Sequence, residues 1–172
     1  MTFFKPFLIA ATAMLLFTSC SNENNTEELI LNESLTALNK SAITPIEFNE
    51  FETQLIKVIN DHRESIGVNP LLASLEANIQ AESHTNYMIE KGEISHDNFN
   101  KREQNLIVNA NAEKVGENVA FGYDSPEAVL EGWLNSSSHK RLIESSSYSH
   151  FGLCTNSGVT GKQYFTHIFI KI

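Results

Sequence analysis

The run Tyr164-Phe165-Thr166-His167-Ile168-Phe169-Ile170 is apolar on both of its alternating faces. A strand with one side in water alternates apolar with polar, so a strand apolar on both sides must be covered on both sides. Residues 163 to 172 therefore predict a strand held between two layers. A second strand candidate, Ser149 to Thr155, precedes it across the turn residues Asn156-Ser157-Gly158 and Gly161.

Upstream of these strands the apolar period changes. From Phe48 to Glu64 the positions Phe48, Phe51, Leu55 and Ile59, with Val58 offset, follow the spacing of one helix face, and Gly67 ends the pattern. Asn69-Pro70 opens the next segment, and a second helix is predicted from about Ser74 to Lys91, stopped by Gly92. On it, Ala77, Ala81, His84 and Met88 share one stripe, which makes His84 either a satisfied core residue or the lining of a cavity. Gly116 to Gly122 reads as a short element between glycines. Ser125-Pro126-Glu127 carries the cap, first-turn proline and first-turn acid of a helix start, with Ala128, Val129, Leu130, Trp133 and Leu134 as its apolar side. After a Ser-rich interruption, Arg141-Leu142-Ile143 supplies one further turn. Helices first, strands late and a sheet covered twice give an α+β fold, a three-layer α-β-α sandwich, with no internal repeat and no second domain.

The other end of the chain reads as a processing signal. Lys5 is followed by the apolar run Phe7 to Phe17, which is too short to span a bilayer core and matches the h-region of a secretory signal peptide. Its end, Leu16-Phe17-Thr18-Ser19-Cys20, resembles the bacterial lipoprotein signal, with Phe17 where Leu is usual. Residues 1–19 are thus expected to be removed, Cys20 to be lipidated and to anchor the chain to a membrane, and residues 20–46, rich in Asn, Glu, Ser and Thr, to act as a flexible tether. The domain proper is expected over 47–172. With Cys20 occupied, Cys154 has no intramolecular partner, and it reads as a small buried apolar residue rather than a reactive thiol.

Acidic residues outnumber basic ones 21 to 12 in 172 residues, for a formal charge of -9. A surface of that sign repels phosphate backbones, which excludes nucleic acid as an expected partner. Hydrophobic residues at 41% are enough for a packed core and argue against global disorder.

Several short motifs occur in a fixed order: Asn60-Asp61-His62-Arg63, Pro70-Leu71, Ala81 with His84, Ser95-His96, Gly116-Glu117-Asn118-Val119-Ala120, Trp133-Leu134-Asn135-Ser136-Ser137-Ser138-His139-Lys140, Phe151-Gly152-Leu153, and the final strand. None is decisive alone. Their order and spacing over residues 50 to 172 resemble the CAP family (cysteine-rich secretory proteins, antigen 5 and pathogenesis-related 1 proteins; the SCP domain, known also as allergen V5/Tpx-1-like) in its bacterial form. The resemblance implies an α-β-α sandwich with a central cleft, lined in many members by two His and two acidic residues that can hold a divalent metal. His96 matches the histidine of the family's Ser-His element, Glu117 the acid of its Gly-Glu-Asn element, and His139 the second cleft histidine. The fourth position, often Glu, is Ser136 here, so one carboxylate of the set is missing. His84 matches a histidine frequent on the second helix of bacterial members and is expected to border the cleft.

Two imidazoles and a carboxylate would give a divalent cation such as zinc three ligands and leave one position open for water. No local His-x-x-x-His or Cys pair supports such a site, so His96, Glu117 and His139 could equally form a hydrogen-bonded network that ties helices to sheet. The chain lacks a Gly-x-Ser-x-Gly elbow, and Ser136 to Ser138 beside His139 do not by themselves make a serine nucleophile. The expectation is therefore a non-enzymatic binding or interaction module at the bacterial cell envelope, on the outer membrane or cell surface, with a lipid, cell-wall or host-surface ligand. The alternative is a metal-dependent hydrolase using bound water, with Glu117 as ligand or base. An open polar cleft between Glu117 and His139 would favour a ligand, whereas a roof of Phe121 and Tyr123 would favour a structural cluster.

Overall fold

The structure is a computed structural model that describes residues 45–172. The expected leader over 1–19, the lipidation site Cys20 and nearly all of the 20–46 tether lie outside the described residues. The order of elements is α1 (Glu50–Ser65), β1 (Leu72–Ala73), α2 (Leu75–Lys91), α3 (Phe99–Ala110), β2 (Lys114–Phe121), α4 (Pro126–Leu134), α5 (Ser137–Ile143), β3 (His150–Ser157) and β4 (Gln163–Lys171). The strands form one four-stranded sheet in the order β1-β3-β4-β2, parallel between β1 and β3 and antiparallel elsewhere.

Strand β4 is central and separates two cores by residue parity. Phe165 and Phe169 point into a core with Leu55 and Ile59 of α1 and Val129 and Trp133 of α4. Ile168 and Ile170 point the other way, onto Ala77 and Ala81 of α2 and Leu106 of α3. Successive side chains of a strand face opposite sides, so the doubly apolar run is what a middle layer requires. The fold is the expected α+β sandwich.

Helix α2 lies almost directly on the sheet. A Cβ at Gly152 would come within 2.0 Å of the Ala77 backbone carbonyl carbon, so only glycine allows this approach. Ser74 caps α2 by accepting from the Ala77 N–H, and Gly92 ends it in the left-handed region at φ 72°. Helix α1 begins two residues later than the apolar pattern suggests. Asn49 and Glu52 form a reciprocal capping box there, and Phe48 sits outside the helix, stacked on Phe151. The other oxygen of Glu52 accepts the Thr155 N–H at 2.7 Å, while Asn78 Oδ1 accepts the Leu153 N–H at 3.1 Å. Beyond the two residues of β1, side chains thus occupy donors along the edge of β3.

On the opposite core, the fully buried Arg63 donates to the carbonyls of Asn69, Ile143, Ser145 and Tyr148, which fixes the chain after α1 and after α5. Trp133 is buried, as its helix stripe predicts, and its indole N–H donates to the Val119 carbonyl at 3.1 Å. Cys154 is free and buried, and desolvation pushes its thiol up to about 12, which leaves it in the unreactive thiol form. Among the described residues no helix is long and apolar enough to cross a membrane.

Candidate functional site

The site is built around Glu117 in β2. Val119, two residues on, packs with Met88 of α2, whereas Ala120 belongs to the core under α4. By the same parity Glu117 faces the α2 and α3 layer, and Asn118 faces α4 and α5. The Glu117 side chain is 1% exposed.

Three residues surround its carboxylate among the described residues, one of which the sequence reading did not identify. Arg102, on the inward stripe of α3, donates from Nε to Oε2 and from Nη2 to Oε1, each at 2.7 Å, and from Nη1 to the Asp97 carbonyl at 2.6 Å. This is a bidentate guanidinium–carboxylate pair with both charges buried. His96, half exposed, places Nδ1 2.8 Å from Oε1. When that nitrogen carries the proton, the Nε2 lone pair is left free. His84, from α2, donates Nε2–H to the Ser95 carbonyl at 2.7 Å and stands 3.7 Å from Oε1. Desolvation pushes its proton affinity down against the pull of Glu117, so the buried imidazole is neutral at neutral pH. Its Nδ1 has no hydrogen-bond partner among the described residues.

The structure therefore brings His84, His96 and Glu117 together and adds Arg102. His139 stands apart from this hydrogen-bonded group. It lies on α5, and its backbone carbonyl accepts from Asn118 Nδ2 at 3.2 Å, on the opposite face of β2 from the Glu117 side chain. Burial first, and the charge of His96 second, lower the proton affinity of its imidazole. Ser136 is the residue before α5 and makes its side-chain hydrogen bond with Ser138 at 3.1 Å. Neither aromatic considered as a roof covers Glu117: Phe121 packs on Tyr164 and Tyr123 on Phe165. A cavity of about 300 Å³ opens instead beside His96, Phe99 and Gly116, with Glu117 in its wall.

The donor set fits a divalent metal poorly. Both oxygens of Glu117 are engaged by a guanidinium whose positive charge a second cation would have to approach, and the His96 nitrogen nearest the carboxylate is turned toward it. Among the described residues no group of three or more His, Cys, Asp or Glu side chains is arranged to hold a metal ion. The same clamp removes Glu117 as a free general base, so the geometry offers no support for the metal-dependent hydrolase.

Comparison with known proteins agrees with this architecture. The uncharacterized membrane protein YlbC of Bacillus subtilis (strain 168) is 42% identical over 59 residues, 34% of this chain and 16% of YlbC. The uncharacterized protein YkwD of the same organism is 23% identical over 118 residues, 67% of this chain and 46% of YkwD. The chain thus spans less than half the length of these curated relatives. Among solved structures, an outer surface protein from Borrelia burgdorferi superposes with a TM-score of 0.66 at 21% identity, over 73% of this chain and 96% of that one. The model of the CAP, cysteine-rich secretory protein family matches residues 56–169, from within α1 to β4, and the chain belongs to that family.

Proposed function

We propose that the chain is a non-enzymatic binding or interaction module held outside the cytoplasm at the cell envelope, anchored through lipid on Cys20 with residues 20–46 as its tether. The observation that supports the non-enzymatic part is the Arg102 clamp. A carboxylate paired on both oxygens and 1% exposed is a structural anion, which orients the His96 ring and ties α3 to β2. The anchor is supported by the Leu16-to-Cys20 signal, and an envelope location also by the likeness to proteins described as a membrane protein and an outer surface protein. On this reading the ligand is a lipid, a cell-wall component or a host-surface molecule.

Detergent phase partitioning of the wild type and Cys20→Ala, followed by native mass spectrometry before and after chelation, tests both halves. The wild type should enter the detergent phase with the mass of an acylated chain, and the variant should not. Neither should lose a metal on chelation. A wild type that stays in the aqueous phase overturns the anchor, and a stoichiometric metal removed by the chelator overturns the structural reading of Glu117.

A further inference from the structure

A cavity of about 350 Å³ lies between α2 and α3 and shares no lining residue with the opening beside His96. That volume falls at the lower end of small-ligand sites. Three side-chain amides, of Gln80, Asn98 and Asn105, stand in its wall beside Ser83 and His84. Gln80 Oε1 accepts from Asn105 Nδ2 at 3.2 Å, which leaves the Gln80 N–H donors and the Asn105 carbonyl oxygen for other partners. Asn98 precedes α3 in the left-handed region at φ 60° and gives the helix no side-chain cap, so its amide is also uncommitted there. Groups that donate and accept side by side match hydroxyls, which do the same.

Charge narrows the ligand further. Among the described residues no carboxylate lines the cavity. Of the two cations in its wall, Arg102 is committed to Glu117 and the Asp97 carbonyl, whereas exposed Lys101 makes no ion pair among the described residues. On a chain of net charge -9 this is a local site for one negative group. The half-exposed Ile79 adds apolar surface on which the C–H face of a pyranose ring can rest, beside a Tyr87 ring that stacks on His84 and lies under the Lys91 ammonium.

We propose that the α2–α3 cavity binds a saccharide that carries a carboxylate, with the amides of Gln80, Asn98 and Asn105 on its hydroxyls and Lys101 on its acid group. This inference rests on the reading of the chain as a binding module and names its ligand class. It does not depend on the anchor, and although Arg102 of the clamp stands in the cavity wall, the amide signals and the Lys101 variant read the cavity without breaking the clamp, so its failure is distinguishable from theirs.

The test is an NMR titration of the full chain in detergent micelles, following the side-chain amide signals of Gln80, Asn98 and Asn105. The probes are D-glucuronate, D-glucose and acetate. Glucuronate should move these signals and bind about tenfold more tightly than glucose, a difference of about 1.4 kcal/mol. Acetate should leave them in place. Lys101→Ala, an exposed substitution that the fold tolerates, should abolish the preference for glucuronate, and Asn105→Ala should weaken both sugars. The proposal is overturned if acetate moves the amides as far as glucuronate does, if glucose binds as well as glucuronate, or if no pocket amide responds to glucuronate at about 50 mM, well above a millimolar Kd.

Discussion

Replacing Arg102 by Met keeps an unbranched side chain on the α3 stripe and removes only the guanidinium. Glu117 would lose two hydrogen bonds of 2.7 Å and the guanidinium charge paired with it, and α3 would lose its tie to the Asp97 carbonyl. Among the described residues His96 Nδ1, in its protonated tautomer, would be the close donor left. Breaking a buried ion pair from one side strands a charge in a poorly solvated place, which costs about 3 to 5 kcal/mol. That is a large part of a typical stability of about 5 to 15 kcal/mol. Urea melts should show the midpoint falling by about 2 M, given slopes of about 1 to 3 kcal/mol/M. Glu117→Gln with Arg102→Met should be less destabilised than the two single changes together by about 2 kcal/mol, because the second removes what the first strands. A loss below about 1 kcal/mol for Arg102→Met, or additivity of the pair within about 0.5 kcal/mol, would refute the buried clamp.

Three further outcomes follow from the packing. Gly152→Ala should destabilise by more than about 3 kcal/mol or prevent folding, as overpacking here meets backbone rather than a movable side chain, and a melt within about 1 kcal/mol of wild type would contradict the α2–β3 contact. Trp133→Ala should cost about 3 to 5 kcal/mol in urea melts, the range for deleting a large buried aromatic. His167 is enclosed by Trp133, Phe151 and Phe169, and burial pushes its proton affinity down to about 3. Because the unfolded chain protonates this ring near pH 6.5 and the folded one does not, stability should fall by about 2 kcal/mol between pH 7 and 5 on its account. His167→Phe should remove that share of the acid sensitivity, and an unchanged pH profile would show that the ring is solvated.

The outline of the fold was legible because its strongest elements announce themselves locally. The caps Ser74, Gly92 and Ser125 stand where the structure uses them, and β4 carries two apolar faces because two helical layers need them. Helix α3 escaped because its inward stripe is Phe99, Arg102 and Leu106, and a search for apolar periodicity counts the arginine as exposed. Strand β1 is two residues long and is defined only by its pairing with His150 and Phe151, which no local pattern encodes. The serines before His139 read as an interruption, but Ser137 and Ser138 form the first turn of α5, where small polar residues are tolerated.

The site was legible in its histidines and carboxylate and illegible in its cation, for one physical reason. A buried carboxylate requires a counter-charge, and the sequence does not say which arginine supplies it until α3 is recognised as a helix. Once it is, Arg102 lies three residues from Phe99 and four from Leu106, on the face turned to β2. His139 joins Glu117 by no hydrogen bond among the described residues, although its imidazole feels the charge of His96, and the period of β2 explains where its backbone is held. Gly116 to Gly122 read as a short element without an assigned period, yet eight residues paired from Lys114 to Phe121 with β4 make it a strand, and neighbours on a strand cannot face one side. Asn118 turns to α5 and holds the His139 carbonyl, so Glu117 must turn to α2 and α3, where His84, His96 and Arg102 converge. The period of β2 thus decides which residues share the site, and it leaves the carboxylate to a guanidinium.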